Sequence, residues 1–112
     1  INIFSLAYPE KSSNWTNRFQ MFATENMWTF ILLDSYNGRL WQVQYSTQDL
    51  DNLFCIPINK YELVENNERC IFSIQPLTSM YQYYLINDNT GDMWKFQWST
   101  KGDDYRWIER FR

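Results

Sequence analysis

A chain of 112 residues holds material for one domain, whose folding removes roughly 65% of the surface exposed by the unfolded form. Hydrophobic residues make up 45% and aromatics 20% against only three Gly and three Pro, a composition that excludes a disordered chain. Lys and Arg number 10 against 13 Asp and Glu, a net charge of −3 with no basic block, so no nucleic-acid partner is expected: aromatic stacking on bases would lack its electrostatic complement.

The chain starts at Ile1 rather than Met, which reads as a processed or trimmed chain, and an upstream export signal would slightly favour a periplasmic or secreted protein over a cytoplasmic one. Asn14-Trp15-Thr16 matches the N-glycosylation sequon, a pattern common by chance. A short helical turn is expected within 8–18. Four strands follow, at 18–24, 28–34, 39–46 and 53–58. The first alternates Phe19, Met21 and Ala23 with polar neighbours, and the third sets Trp41, Val43 and Tyr45 against Gln42, Gln44 and Ser46. The second is apolar on both faces and is expected to be central. Asn37-Gly38 signals a two-residue type I′ turn, which would place Asp34 opposite Trp41, Leu32 opposite Val43 and Phe30 opposite Tyr45. A four-residue loop would shift these partners while keeping the same residues on the same face. A second helical turn is expected at 48–53.

Cys55 and Cys70 flank the connection that follows. They are compatible with a disulfide closing a loop of about 15 residues, worth roughly 3 kcal/mol, or with buried free thiols. Beyond it, strands are expected at 71–76, 80–87, 92–99 and 105–111. These repeat the first four. Laying 18–58 over 71–111 at a constant offset of 53 leaves 9 of 41 positions identical, including Leu32/Leu85, Gly38/Gly91, Trp41/Trp94 and Gln44/Gln97. Substitutions such as Trp28/Tyr81, Phe30/Tyr83, Asp34/Asn87 and Tyr45/Trp98 keep shape or apolar character. An ungapped register matters because a one-residue slip would turn every side chain to the opposite face. The chain thus reads as a single domain, 1–112, with an internal duplication of 18–58 and 71–111.

The stretches "LLDSYNGRLWQVQ" and "LINDNTGDMWKFQ" resemble the strand-turn-strand unit of quinoprotein-type β-propeller repeats, although two units do not make a propeller and the Gly-to-Trp spacing is one residue short. They are also similar to small bacterial proteins of unknown function that carry an LLD-x-x-x-G-x-x-W hairpin followed by a strand with Trp and Ile, here Trp107-Ile108. That resemblance implies architecture and brings no activity, cofactor or catalytic residue.

Chemistry is sparse. The absence of His removes Ser-His-Asp and Cys-His hydrolysis and the common His-bearing metal sites. No phosphate-binding glycine loop is present. "NDNTGD" at 87–92 places its Gly one position early for a calcium loop and reads as a surface turn. Asp34 and Asp103-Asp104 are the only carboxylates that suggest a glycosidase pair, and Asn87 replaces Asp34 in the second copy, so turn closure is the better reading of Asp34. No catalytic residue, metal or cofactor is assigned.

The expected fold is all-β: two tandem four-stranded antiparallel units forming a pseudo-symmetric sandwich or a partly closed barrel, each unit burying its aromatic face against the other. Trp28, Trp41, Trp94 and Trp98 are assigned to the core. Tyr36, Trp15, Tyr105 and Trp107 lie in or beside connections and are the candidate ligand-binding aromatics. The expected function is a non-catalytic interaction module binding a protein partner or itself. The alternatives are a carbohydrate or small-ligand module using the exposed aromatics and, third, a hydrolase with paired carboxylates. No run of 18 apolar residues exists, so no membrane-spanning helix is expected.

Overall fold

The computed structural model of the chain describes residues 17–45 and 53–112. It is all-β, with strands β1 (Phe19–Ala23), β2 (Thr29–Asp34), β3 (Arg39–Gln44) and β4 (Phe54–Pro57) in one sheet. A second sheet holds β5 (Phe72–Pro76), β6 (Gln82–Asn87), β7 (Met93–Gln97) and β8 (Trp107–Arg110). Both are antiparallel meanders in sequence order. Every strand falls within its expected span. Pro57 and Pro76 end β4 and β5, edge strands where a missing N–H costs least. One 3₁₀ turn, Asp103–Tyr105, precedes β8, and the expected helical turns at 8–18 and 48–53 lie almost wholly outside the described residues.

The duplication extends to individual hydrogen-bonded ladders. Adding 53 to each partner carries Phe19↔Asp34 onto Phe72↔Asn87, Leu32↔Trp41 onto Leu85↔Trp94, and Trp41↔Pro57 onto Trp94↔Arg110. The turns repeat too, and they correct the expected pairing. Asp34 lies opposite Arg39, so the first hairpin has a four-residue loop, 35–38, and Leu32 faces Trp41 rather than Val43. Gly38 takes φ +80° while Asn37 does not adopt positive φ, so the type I′ turn is not formed. Side chains favour the longer loop: Asp34 Oδ1 accepts from Tyr36 N and Asn37 Oδ1 from Arg39 N. In the second copy Asn87 Oδ1 accepts from Asn89 N and Thr90 N.

The sheets stack as a sandwich without closing into a barrel. They do not, however, present equivalent faces. The second sheet buries the expected aromatic face, with Tyr83, Leu85, Trp94, Phe96 and Trp98 in the core. The first sheet buries the opposite one: Ile31, Leu33, Leu40 and Gln42 are fully enclosed, while Phe30, Leu32, Trp41 and Val43, counterparts of the second sheet's core residues, remain half-buried outside the core. The expectation that each unit buries its aromatic face therefore holds for one unit only, and Trp28 and Trp41 are not core residues. The two repeats are stacked head to tail.

Two polar devices fix this stacking. Gln42, fully buried on β3, donates through Nε2 to the carbonyl of Ser99 (2.8 Å) and accepts from its N–H through Oε1 (3.1 Å), bridging residues 57 apart in sequence. Arg106 donates to the same carbonyl and to Gln42 Oε1. At the turn end, the connection after β4 wraps the first hairpin. Asn59 accepts from Leu40 N and donates to the Gly38 carbonyl, and Leu63 N and Val64 N donate to the Asn37 carbonyl. A Cβ on Gly38 would lie 2.9 Å from Leu63 Cδ1 and 3.1 Å from the Phe72 ring, so this turn is a packing joint as well as a reversal.

Candidate functional site

The outer face of the first sheet is built by strand alternation. Register places Phe19, Asp34 and Arg39 in one row, Met21, Leu32, Trp41 and Pro57 in the next, and Ala23, Phe30, Val43 and Cys55 in the third. Two of these rows are apolar across every strand. Trp28 meets Tyr45 edge-on at 5.4 Å, Phe30 stacks on Tyr45 at 6.0 Å, and Arg39 lies 5.0 Å over the Trp41 ring. None of the apolar side chains belongs to the buried core or packs against it.

The corresponding outer face of the second sheet carries Ser73, Ile86 and Met93 in one row and Gln75, Tyr84, Lys95 and Glu109 in the next. It keeps an apolar strip, Tyr84, Ile86 and Met93, framed by polar and oppositely charged groups. Tyr84 meets Phe111 edge-on at 5.5 Å.

The sequence candidates are dispersed. Tyr36 sits in the first hairpin with its ring 4.9 Å under the Arg18 guanidinium and its carbonyl accepting from Asn67, so it is half-buried by the chain itself. Arg18 also holds Asp34, which is 2% exposed, through three contacts of 3.0–3.2 Å. That carboxylate is committed to turn closure and an ion pair. Trp15 lies outside the described residues. Tyr105 is exposed on the 3₁₀ turn, and Trp107 is half-buried on β8 opposite Gln97. These two share one end of the second sheet, and Tyr36 is at the turn end of the first.

Cys55 and Cys70 are both free and both exposed, so neither the disulfide nor the buried-thiol alternative is realised. Cys55 points outward from edge strand β4, and Cys70 Sγ donates to the Asn17 carbonyl at 3.4 Å. Partial burial raises the Cys55 thiol above its ordinary pKa. Among the described residues no group of three His, Cys, Asp or Glu side chains is gathered for a metal, and no helix is long and apolar enough to cross a membrane.

The site residues that sequence reasoning missed are Gln42, Tyr81 and Lys101. Gln42 reads as solvent-facing by alternation, and its burial is set only by the partner sheet. Lys101 could have been found from the overlay, where it replaces Gln48 just as Tyr105 replaces Asn52. No family model, curated protein or solved structure matches the chain.

Proposed function

We propose that this chain is a non-catalytic interaction module that self-associates head to tail, the outer face of its first sheet receiving the outer face of the second sheet of another copy. The observation that carries this reading is the opposite choice of buried face in two sheets of identical register. The face through which the second sheet packs on the first exists again, equally apolar, on the outside of the first sheet. Position by position, Phe19, Phe30, Leu32, Trp41 and Val43 stand where the second sheet buries Phe72, Tyr83, Leu85, Trp94 and Phe96, and Met21 where it packs the partly buried Ile74 against the core.

A contact that joins different faces is heterologous, and its repetition gives a ring or a filament according to the rotation between units. This is also the way blades follow one another in the propeller that the hairpins resemble. Phe30, Leu32, Trp41 and Val43 are already half-buried, so completing their burial contributes about half of the 1.5–3 kcal/mol of a full transfer each, which favours association that deepens with concentration.

Size-exclusion chromatography with light scattering across a concentration series tests the reading. The mass is expected to rise with concentration beyond one chain, and Trp41→Lys, outside the core and so compatible with folding, is expected to return the protein to monomer. A monomer at every concentration with wild-type sequence sinks the proposal.

A further inference from the structure

A second feature is a cleft of about 170 Å³ at the end of the second sheet remote from its 88–91 turn. Its floor is fixed. Trp98 is fully buried, with Nε1 donating to the Met80 carbonyl at 3.0 Å, and the Tyr81 ring leans on it at 4.7 Å. Tyr81 is 41% exposed, so this aromatic pair reaches solvent through Tyr81.

Tyr105, 49% exposed, also lines the cleft. Gln97 holds its turn in place by donating to the Tyr105 carbonyl at 2.9 Å, and Gln82 in turn donates to Gln97 Oε1 at 2.8 Å. Lys101 lines the cleft with its ammonium over one face of the Tyr105 ring, 5.5 Å from the centroid, and forms no ion pair among the described residues. Its backbone is held by Ser99, whose Oγ accepts from Lys101 N at 2.9 Å.

Comparison of the repeats separates what folding requires from what it does not. Tyr81, Gln97, Trp98 and Ser99 have counterparts of the same kind in Trp28, Gln44, Tyr45 and Ser46. Lys101 and Tyr105 replace Gln48 and Asn52. The aromatic floor and polar rim thus belong to the repeat, whereas the cation and the second ring are additions at an exposed site, where packing does not call for them.

We infer that this cleft binds a single pyranose residue carrying a carboxylate. Two tyrosine faces offer flat apolar surface to the C–H face of a sugar ring, and the amide and hydroxyl groups of the rim suit its hydroxyls. The lysine supplies the one charged contact, to the carboxylate. An open cleft of this size covers one sugar ring only in part, so a monosaccharide binds weakly and an acidic sugar within a larger glycan is the expected ligand. This site borders the self-association surface, since Gln97 lies on the same strand face as Lys95, but its other lining groups stand beyond that face.

Amide NMR of the full chain, titrated with methyl glucuronide, methyl glucoside and benzoate, tests the assignment. Saturable shifts clustered at residues 97–105 with the glucuronide, binding of the glucoside about tenfold weaker, and a loss of about tenfold on Lys101→Met are expected. Tyr105→Ala is expected to abolish the shifts, while Trp28→Ala, on the first sheet, leaves them unchanged. Shifts that fail to saturate with all three probes overturn the site. Benzoate binding as tightly as the glucuronide overturns the sugar assignment, and equal binding of glucoside and glucuronide overturns the role of Lys101.

Discussion

The two hairpin glycines share a conformation and differ in surroundings, which separates backbone strain from packing. Gly38 and Gly91 have φ of +80° and +78°, but a Cβ on Gly91 would meet nothing within 4 Å, whereas one on Gly38 would press on Leu63 and Phe72. Gly91→Ala is therefore expected to cost about 1–2 kcal/mol, the left-handed penalty alone. Gly38→Ala adds overpacking of about 1–3 kcal/mol. Urea denaturation of the pair measures the difference, and equal losses would show that the connection yields without resistance. A titratable residue makes a second case at this scale. Burial raises the Tyr83 phenol above its ordinary value of 10.0. Above that pH the unfolded chain gives up its proton before the folded one, so the stabilisation present below pH 10 is lost as pH rises. Thermal unfolding between about pH 9 and 11 is expected to show Tm falling more steeply for the wild type than for Tyr83→Phe.

At the scale of strands, Gln42 and its counterpart Lys95 occupy the same register position and do different work. Gln42 satisfies both backbone groups of Ser99 inside the sandwich, and Lys95 lies half-buried on the outer face of the second sheet. Gln42→Ala strands those buried groups and is expected to cost about 2–3 kcal/mol in urea denaturation. Lys95→Ala should stay within about 0.5 kcal/mol. This pair also marks where the sequence stops being legible. Strand positions follow from period-two alternation and the ungapped overlay, and the central place of β2 from its being apolar on both faces. The face turned inward does not, because β2 is apolar on both sides: Ile31 and Leu33 point one way, Phe30 and Leu32 the other. In β3 the alternation even misleads, since Trp41 and Val43 look like the core face and Gln42 like the wet one. What reverses that reading is a hydrogen-bond partner 57 residues away. The loop length was obscured in a similar way, because Asn37-Gly38 favours a two-residue turn locally while the Asp34 side chain and the packing of Leu63 and Phe72 select the longer one. Among the cleft residues, Tyr105 is traceable to its place in a connection, and Lys101 to a difference between the copies.

For the molecule as a whole, the internal interface serves as a template for the external one, and it specifies which residues of neighbouring copies should meet. Inside the chain Gln42 Oε1 lies 3.4 Å from Arg106 Nη1. Subtracting 53 from Arg106 gives Leu53, and adding 53 to Gln42 gives Lys95, so a head-to-tail contact that reuses this geometry brings Lys95 of one copy beside Leu53 of the next. Leu53 is exposed and Lys95 half-buried, as residues awaiting such a neighbour would be. In a background with both native cysteines replaced by serine, the double variant Leu53→Cys/Lys95→Cys is expected to cross-link into a ladder of covalent multimers with a short bis-maleimide. A mixture of the two single variants should give only a heterodimer, because each then carries one reactive end. A two-fold dimer predicts otherwise: its contacts are reciprocal, so Leu53→Cys alone would cross-link to itself if it lies near the axis, and the double variant would stop at a covalent dimer if Leu53 meets Lys95. Only the directional contact leaves both single variants unlinked while the double variant polymerises, a distinction that mass measurement by itself does not make.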